Sequence, residues 1–387
     1  MAITFTAEAI QKIAQNTFPA IYNRKNPSKV DRKKLPGLAM FSDAKETAAN
    51  NQNTLTVKYQ IQSQIDAQGF ERRDPLEFSE QDINIDATYG YANVHHGVEL
   101  VHDDLEAAVG GTVMPNQYPR GKSIVKASSE GEMFQVLNYM ENFMEGFLDK
   151  RNVNLDKILW TSNAANPKLP SGFDAFWPRI VPTAGSQGYA TDAAGTRGYY
   201  GAGSIGGRLR SQFPDVLQHY IWANATYTNG GSLTRAVNQA RYEAELRSRG
   251  RTKGGIKMIV AGRRAAEKYV MYARNNNLNF WADANKSINI DVGLPTGDLK
   301  IEGLPLVINP TFADLDLIDS SQALKWDDCM FLVDTDAFAW CYAGNKDAVL
   351  SSPPDEGHLR VTRWSLDDKF LLLPKVPNAI SIVHLAA

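Results

Sequence analysis

The sequence predicts an α+β fold, and three patterns carry that prediction. Residues 55–66 and 83–91 alternate apolar and polar side chains, which is the period of a β-strand, on either side of a turn-like segment. Residues 130–151 repeat apolar side chains at the spacing of one long helix, and the pattern allows that helix to continue to Trp160. From Lys300 onward, apolar runs bounded by turn residues are typical of strands.

The composition indicates a globular protein of two or three regions. The chain has 387 residues, of which 43% are hydrophobic and 22% are charged. A formal net charge of -2 argues against nucleic-acid binding by the chain as a whole, because proteins that grip phosphates are basic. The sequence shows no signal peptide and no run of about 18 apolar residues, and its two cysteines do not suggest a disulfide scaffold. We therefore expect a soluble protein made in a reducing cytoplasm, with no membrane partner.

The first 54 residues are predicted to form an arm. A short amphipathic helix is expected near Ala7–Gln15, and a polar stretch leads out of the segment. Between them a basic run contains one acid, Asp31, and six basic residues, which are Arg24, Lys25, Lys29, Arg32, Lys33 and Lys34. The arm has too few apolar residues to form a core of its own.

The two alternating runs after the arm predict a long antiparallel hairpin. Eleven residues per strand would reach about 35 Å. A lone ribbon of two strands is barely stable in water and exposes unpaired edges, so the body of the chain or a neighbouring copy must cover it. The predicted tip combines one aromatic residue with four consecutive charges, which are Phe70, Glu71, Arg72, Arg73 and Asp74.

Motifs that would carry chemistry are incomplete. Gly201, Gly203 and Gly206 have the spacing of a dinucleotide-binding loop but lack the preceding strand, the following helix and the distant acid, so we predict a loop. The best metal candidate continues the alternating strand without a further ligand at suitable spacing, and consists of His95, His96, Glu99, His102 and Asp103. We therefore predict no catalytic, cofactor-binding or metal site.

The order of the predicted elements resembles the major capsid proteins of tailed bacteriophages, of the Hong Kong 97 type. Residues 132–163 resemble the spine helix of that family, and residues 220–250 with 254–273 are similar to the helix–strand–helix core of its axial domain. Residues 299–312 resemble a strand of the same domain with glycine, proline and an apolar residue in sequence, here Gly303, Pro305 and Leu306. The resemblance covers nearly the whole chain and rests on element order rather than on one diagnostic motif.

The resemblance implies a shell subunit with a known division into regions. These are an N-terminal arm at 1–54, an extended hairpin called the E-loop at 55–100, a peripheral domain at 101–160 and 335–375, and an axial domain at 161–334 and 376–387. In this fold the E-loop lies across an adjacent subunit, and we expect the apolar faces of the arm and the hairpin to be buried between subunits. The tip contains no lysine, so a non-covalent clasp is expected rather than a cross-link.

The implied partners follow from the same resemblance. Copies of the chain would form the pentamers and hexamers of an icosahedral virion shell, assembled in the cytoplasm of a bacterial host. The chain shows no helical scaffolding domain after Met1, so a separate scaffolding protein is expected, together with a portal and with packaged double-stranded DNA held by weak non-specific contacts. Decoration proteins stay open. Two alternatives are an encapsulin-like bacterial compartment and a metal- or nucleotide-dependent enzyme that uses the loops at 162–231.

The tip of the hairpin provides the first test. We expect Arg72→Glu with Arg73→Glu to leave the subunit folded and to prevent shell closure, because paired arginines suit bidentate contacts with carboxylates of a neighbour. Such a pair is worth a few kcal/mol when partly desolvated and about 1 kcal/mol or less when fully exposed. Electron microscopy and thermal denaturation check the result. Normal shells with unchanged thermal stability would show that the tip clasps nothing.

Overall fold

The structure is a computed structural model that describes most of the chain in segments. The described residues are 3–25, 35–41, 45–48, 53–60, 84–101, 104, 123–127, 130–161, 169, 172–176, 187–189, 204–225, 231–248, 255–275, 281–282, 286–287, 300–318, 325–344, 346–351 and 361–385. The α-helices are α1 (Ala7–Lys25), α2 (Pro36–Met40), α3 (Glu130–Trp160), α4 (Pro214–Leu217), α5 (Gly231–Arg247), α6 (Arg263–Asn275) and α7 (Thr311–Ile318). None of the helices in these segments combines the length and the apolar character needed to cross a membrane.

Strands make up most of the remaining elements. They are β1 (Ile3–Thr6), β2 (Lys45–Ala48), β3 (Thr54–Gln60), β4 (Asn84–Gly90), β5 (Ala92–Val101), β6 (Ser123–Ala127), β7 (Gln187–Tyr189), β8 (Ser204–Ile205), β9 (Arg208–Leu209), β10 (Tyr220–Ala225), β11 (Met258–Ala261), β12 (Trp281–Ala282), β13 (Lys286–Ser287), β14 (Lys300–Ile301), β15 (Leu304–Ile308), β16 (Cys329–Val333), β17 (Phe338–Ala343), β18 (Val349–Ser351), β19 (Val361–Pro374) and β20 (Ile380–Leu385). Short 3-10 helices occur at Phe173–Phe176, Trp326–Asp328 and Thr335–Ala337. This mixture is the α+β class that the sequence predicts.

A seven-stranded mixed sheet forms the first layer of the fold. Its strand order is β14-β15-β11-β16-β20-β10-β7, with parallel pairing between β11 and β15 and between β10 and β20. Side chains alternate between the two faces, because successive residues of a strand point in opposite directions. In β11, Ile259 and Ala261 pack in the core with α5 and α6, whereas Val260 packs in the core with α3 and α7. The sheet is therefore covered by helices on both faces.

A second sheet is built around the long strand β19. β5 pairs with one edge of β19 over ten residues, and β17 and β18 pair with the other edge. β2 runs parallel to β17 and ends the sheet on that side. The first half of α3 packs near this sheet together with α1, since Ile10, Phe18, Met140 and Trp364 share one core.

Helix α3 connects the two sheets through its C-terminal end. Its last residue, Trp160, is fully buried, and its ring centroid lies 5.0 Å from that of Phe173, 4.7 Å from that of Phe312 and 5.2 Å from that of Phe331. Phe331 belongs to β16 of the seven-stranded sheet. Phe173 also contacts Phe338 of β17 in the second sheet, at 5.2 Å. One aromatic cluster therefore joins the helix to both sheets.

Helix α1 is longer than the sequence indicated. The predicted end at Gln15 is wrong, because the helix continues through Pro19 to Lys25. Its buried side chains follow one helical stripe, which is formed by Ile10, Ala14, Phe18 and Ile21. This stripe packs against α3 of the same chain. The expectation that the apolar face of the arm is buried between subunits is therefore wrong for this helix, since its own body covers it.

Two elements lie where the sequence showed only loop or strand. β10 falls inside the stretch predicted to be loop-rich, and it pairs with β20 in the seven-stranded sheet. α7 interrupts the strand-rich end, where Phe312 and Leu315 pack on α3 and the neighbouring core. By contrast, α3 spans Glu130–Trp160, as the helical spacing predicts.

Candidate functional site

The root of the predicted hairpin is present and lies against the body of the chain. β3 and β4 pair antiparallel, from Thr54 opposite Gly90 to Gln60 opposite Asn84. The inner face is buried and presents Tyr59, Ile85, Ala87 and Tyr89, whereas the outer face is polar and exposed. The root is thus covered by the chain itself, and the expectation that neighbouring copies cover the whole hairpin is wrong for this part.

The predicted contact residues of the hairpin tip and of the basic run lie outside the residues whose side chains the structure describes. The tip set comprises Phe70, Glu71, Arg72, Arg73 and Asp74, and the basic set comprises Arg24, Lys25, Lys29, Arg32, Lys33 and Lys34. What the structure describes is the framework around each set. β3 ends at Gln60 and β4 begins at Asn84, while α1 ends at Lys25 and α2 begins at Pro36.

Two tyrosines fasten the root of the hairpin to the second sheet. The hydroxyl of Tyr59 donates a hydrogen bond to the carbonyl of Pro374, the last residue of β19. The hydroxyl oxygens of Tyr59 and Tyr89 lie 2.6 Å apart, so Tyr89 donates to Tyr59. Both side chains are buried. Because both hydroxyl groups are buried and hydrogen-bonded, they hold β3 and β4 in a fixed position against the second sheet.

A tight turn between β8 and β9 covers the other edge of β4. The backbone N–H of Thr88 donates to the carbonyl of Gly206 at 3.0 Å. Gly206 has a φ of 56°, and a Cβ atom there would lie 2.6 Å from that of Ala87, so only glycine fits. This glycine is the third of the spacing that resembles a dinucleotide-binding loop, and here it packs on the hairpin root. Gly201 and Gly203 lie outside the described residues.

The candidate metal residues on β5 point to different sides of a strand. His95 is exposed and its Nδ1 lies 2.7 Å from Asp367, and Glu99 accepts a hydrogen bond from Arg363 at 2.8 Å. His96 is buried on the opposite face. His102 and Asp103 are outside the described segments, and within those segments no three metal-ligating side chains come together.

A buried charge network ties α1, α3, β5 and β19 together. Arg151 of α3 donates through Nε and Nη2 to the two oxygens of Asp368, at 2.8 and 2.5 Å, and through Nη2 to Asp347 at 2.9 Å. The hydroxyl of Tyr22 in α1 donates to the other oxygen of Asp347 at 2.6 Å. His96 Nε2 lies 3.7 Å from Asp368. Because bidentate pairs fix geometry, Arg151 sets the place where the end of α1 meets α3.

The network carries a net negative charge when His96 and Tyr22 are neutral. Burial lowers the pKa of His96, although Asp368 opposes that change. Burial, with the adjacent Asp347, raises the pKa of Tyr22, so the phenol keeps the proton that it donates. Two carboxylates then face one guanidinium, Arg151, which is 1% exposed. Removal of that cation would leave the buried carboxylate of Asp368 and the partly buried carboxylate of Asp347 without their guanidinium partner.

We expect Arg151→Met to destabilise the subunit by about 3 to 5 kcal/mol, which is the usual cost of breaking a buried ion pair from one side. Lys150→Met is the matched control, because Lys150 is exposed on the same helix and its replacement should change stability by about 0.5 kcal/mol or less. Denaturant unfolding of free subunits measures both values. Hydrogen exchange should also show that α1 loses protection in Arg151→Met. Equal stability of the two variants would contradict the role of the network.

A second polar joint on α3 uses a buried carboxyl group. Asp156 accepts a hydrogen bond from the backbone N–H of Leu38 at 3.0 Å and from the hydroxyl of Thr311 at 2.6 Å. It therefore links α3 to α2 and to the start of α7. Gly37 is required beside it, since a Cβ there would lie 2.5 Å from the carboxylate. Burial raises the pKa of Asp156 to about 6, and these hydrogen bonds limit the rise.

The shifted pKa of Asp156 predicts a pH dependence of stability. Because the folded value of about 6 is above the unfolded value of 3.8, the native state binds the proton more tightly, and its contribution to stability falls as pH rises through 6. Asp156→Asn keeps the acceptor for Leu38 and cannot ionise. We therefore expect its free energy of unfolding, relative to that of the parent, to increase by roughly 2 to 3 kcal/mol from pH 4 to pH 7.5. Denaturant unfolding at several pH values gives this difference. A difference that is constant with pH would exclude the coupling.

The sequence alone did not indicate the residues of the charge network around Arg151 or those of the hydrogen bonds around Asp156. Arg151 occupies a position of the apolar stripe of α3, at the helical spacing shared by Met144, Leu148 and Leu155. A charged residue in such a stripe is a signal that could have been used. Tyr22 and Asp347 gave no comparable signal, because they are far apart in the chain and meet only through the fold.

Comparisons with known proteins give a match at the level of structure. No protein-family model matches the chain, and no curated protein matches it. The chain is similar to the capsid asymmetric unit of cyanophage A-1(L), with 14% sequence identity and a TM-score of 0.55, over 92% of this chain and 94% of that chain. It has the capsid fold of the Hong Kong 97 type.

Two further similarities have lower scores. The capsid of a native GTA particle matches with 11% identity and a TM-score of 0.49, over 89% of each chain. An encapsulin complex from Synechococcus elongatus matches with 8% identity and a TM-score of 0.44, over 92% of this chain and 89% of that chain.

Proposed function

We propose that this chain is the major capsid protein of a tailed double-stranded DNA bacteriophage and builds its icosahedral shell. The observation that carries the proposal is the similarity in fold to the cyanophage A-1(L) capsid along nearly the full length of both chains. A fold similarity that includes 92% of this chain involves most of its helices and strands together. A similarity limited to one sheet would not favour any function.

The hairpin root supports a role in assembly. Its inner face is fixed by Tyr59 and Tyr89, whereas Thr56, Lys58 and Gln60 on its outer face are exposed. The root fixes the positions of Gln60 and Asn84, the two described residues that flank the segment containing the predicted tip. We propose that the tip residues Phe70 to Asp74 within that segment clasp an adjacent copy, in pentamers and hexamers of the same chain.

The basic run suits a location inside a shell that contains DNA. It lies between two segments that α3 holds, because α1 is tied to Arg151 through Tyr22 and Asp347, and α2 is tied to Asp156. We propose that its six basic residues make weak, non-specific contacts with packaged DNA. A separate scaffolding protein and a portal are the further partners that the function requires. The mature protein would then be a virion component, assembled in the cytoplasm of the bacterial host.

A structural role accounts for the buried charged groups of α3 without catalysis. Arg151, Asp368 and Asp347 satisfy one another, and Asp156 is used by backbone and hydroxyl donors. Cys329 and Cys341 are buried, and burial raises the pKa of the Cys329 thiol, which disfavours a reactive thiolate. We propose that the chain acts by assembly and not by chemistry.

The proposal predicts that the purified chain, with a scaffolding protein from the same source, forms closed shells. Sedimentation velocity should show a very large species in place of a monomer, and electron microscopy should show capsomers with fivefold and sixfold symmetry. Particles isolated from an infected host should contain DNA and a portal. DNA-free shells that enclose a protein cargo would instead support the encapsulin-like compartment. A monomer at every concentration, with or without the scaffold, would exclude both.

A further inference from the structure

Helix α5 carries an exposed stripe that its own chain does not cover. Its inner residues are buried on the seven-stranded sheet, as Leu233, Val237 and Ala240 show. The opposite stripe follows a spacing of three to four residues and is exposed, and it consists of Arg235, Asn238, Tyr242 and Leu246. Tyr242 is 62% exposed and Leu246 is 47% exposed. A tyrosine and a leucine one turn apart form an apolar patch, named here the α5 patch.

A second exposed apolar patch lies at the end of α7. Phe312 and Leu315 are buried on one side of this helix, yet Leu317 and Ile318 are 82% and 72% exposed, the highest values among the large apolar side chains of the described residues. A helix that is apolar on both sides is normally covered on both sides. Leu317 and Ile318 are named here the α7 patch.

The two patches lie on opposite faces of the seven-stranded sheet. The side chains of β16 alternate, so that Met330 and Leu332 pack in the core with α5, whereas Phe331 packs in the core with α7. The α5 patch therefore faces away from one side of the sheet, and the α7 patch lies on the other side. Two different patches on opposite faces allow each copy to contact one neighbour with each patch, which is a head-to-tail arrangement.

We infer that the α5 patch of one copy docks on the α7 patch of a second copy, and that this contact repeats around a closed ring. The inference rests on the proposed function, because it names the surfaces that the shell subunits use within a capsomer. Rim charges agree with the pairing. Arg235, which lies on the same exposed stripe about two helical turns before Tyr242, is exposed and has no ion-pair partner among the described residues, whereas Asp314, about one turn before Leu317, pairs with Lys157 and stays half exposed.

The small size of the patches favours a second copy in a ring over a soluble partner. Two large side chains on each side cover far less than the roughly 800 Å² per partner that a stable pair of proteins buries. A single contact of this kind is too weak to hold two molecules together. In a ring each copy uses both patches at once, and the contacts reinforce one another through a high effective concentration.

Cysteine cross-linking tests the pairing of the two patches. The double variant Leu246→Cys with Leu317→Cys, assembled and treated with a short bis-maleimide, should give a ladder of oligomers on a denaturing gel. Each single variant should stay monomeric, because a head-to-tail contact does not bring two identical positions together. The natural Cys329 and Cys341 are buried and do not compete. Dimers of a single variant, or no ladder from the double variant in assembled shells, would overturn the inference.

A second measurement separates docking from folding. Tyr242→Ser with Leu246→Ser should raise the subunit concentration needed for assembly by about tenfold or more, since a central tyrosine is often a dominant interface residue. Circular dichroism of free subunits should be unchanged, because both side chains are exposed. Val349→Ser is the matched control, an exposed apolar residue of β18 outside both patches. Unchanged assembly of the α5 variant would overturn the inference and leave the shell function standing, whereas a parent chain that never assembles would refute the shell function itself.

Discussion

The packing of Trp160 is the contact on which the other parts of this fold depend. Helix α3 places its first half in the core that contains α1 and its last turns in the core that contains β16 and β17. Trp160 completes the second core through rings at 4.7 to 5.2 Å that belong to Phe173, Phe312 and Phe331. Aromatic pairs at such distances add to the free energy of burial. The relative position of the two sheets therefore depends on how one side chain is held.

Arg151 and Asp156 are buried polar residues of α3, and the surrounding structure stabilises each of them in a different way. Arg151 is stabilised by the carboxylates of Asp347 and Asp368, whereas Asp156 accepts neutral hydrogen bonds and tends to bind a proton. Both act at places where a segment from the first 54 residues reaches the helix. Helix α3 thus positions α1 and α2 by directional contacts, which apolar packing alone would not supply. The basic run between them begins and ends at anchored points as a result.

Local patterns in the sequence predicted the elements that have strong periodicity. α3 and the strands of the hairpin root agree with their apolar spacing, because each packs one face on the body of the chain. The predicted end of α1 at Gln15 is wrong. A proline inside a helix usually ends it, but here Phe18 and Ile21 continue the buried stripe past Pro19.

Elements and contacts that depend on tertiary pairing were beyond sequence reasoning. β10 is a strand because β20 and β7 lie beside it, and its apolar run, Tyr220 to Trp222, is too short to indicate a strand within the stretch predicted to be loops. The same reason applies to the site. The predicted tip and basic sets were recognised by charge and stay predictions, whereas the contacts of Tyr59 with Pro374 and of Tyr22 with Asp347 join positions more than 300 residues apart.

The order of folding and assembly follows from where the apolar surface lies. The stripe of α1 and the inner face of the hairpin root are buried within one chain, so their stability does not wait for a neighbour. Among the described residues, the large apolar side chains that stay exposed are few and distributed, as at Tyr242 and Leu317. In the proposed shell, weak contacts of this kind would form and separate while the core stays intact, which would let wrongly placed copies leave a growing shell. Folding of the described core would then precede assembly, and assembly would rest on small interfaces.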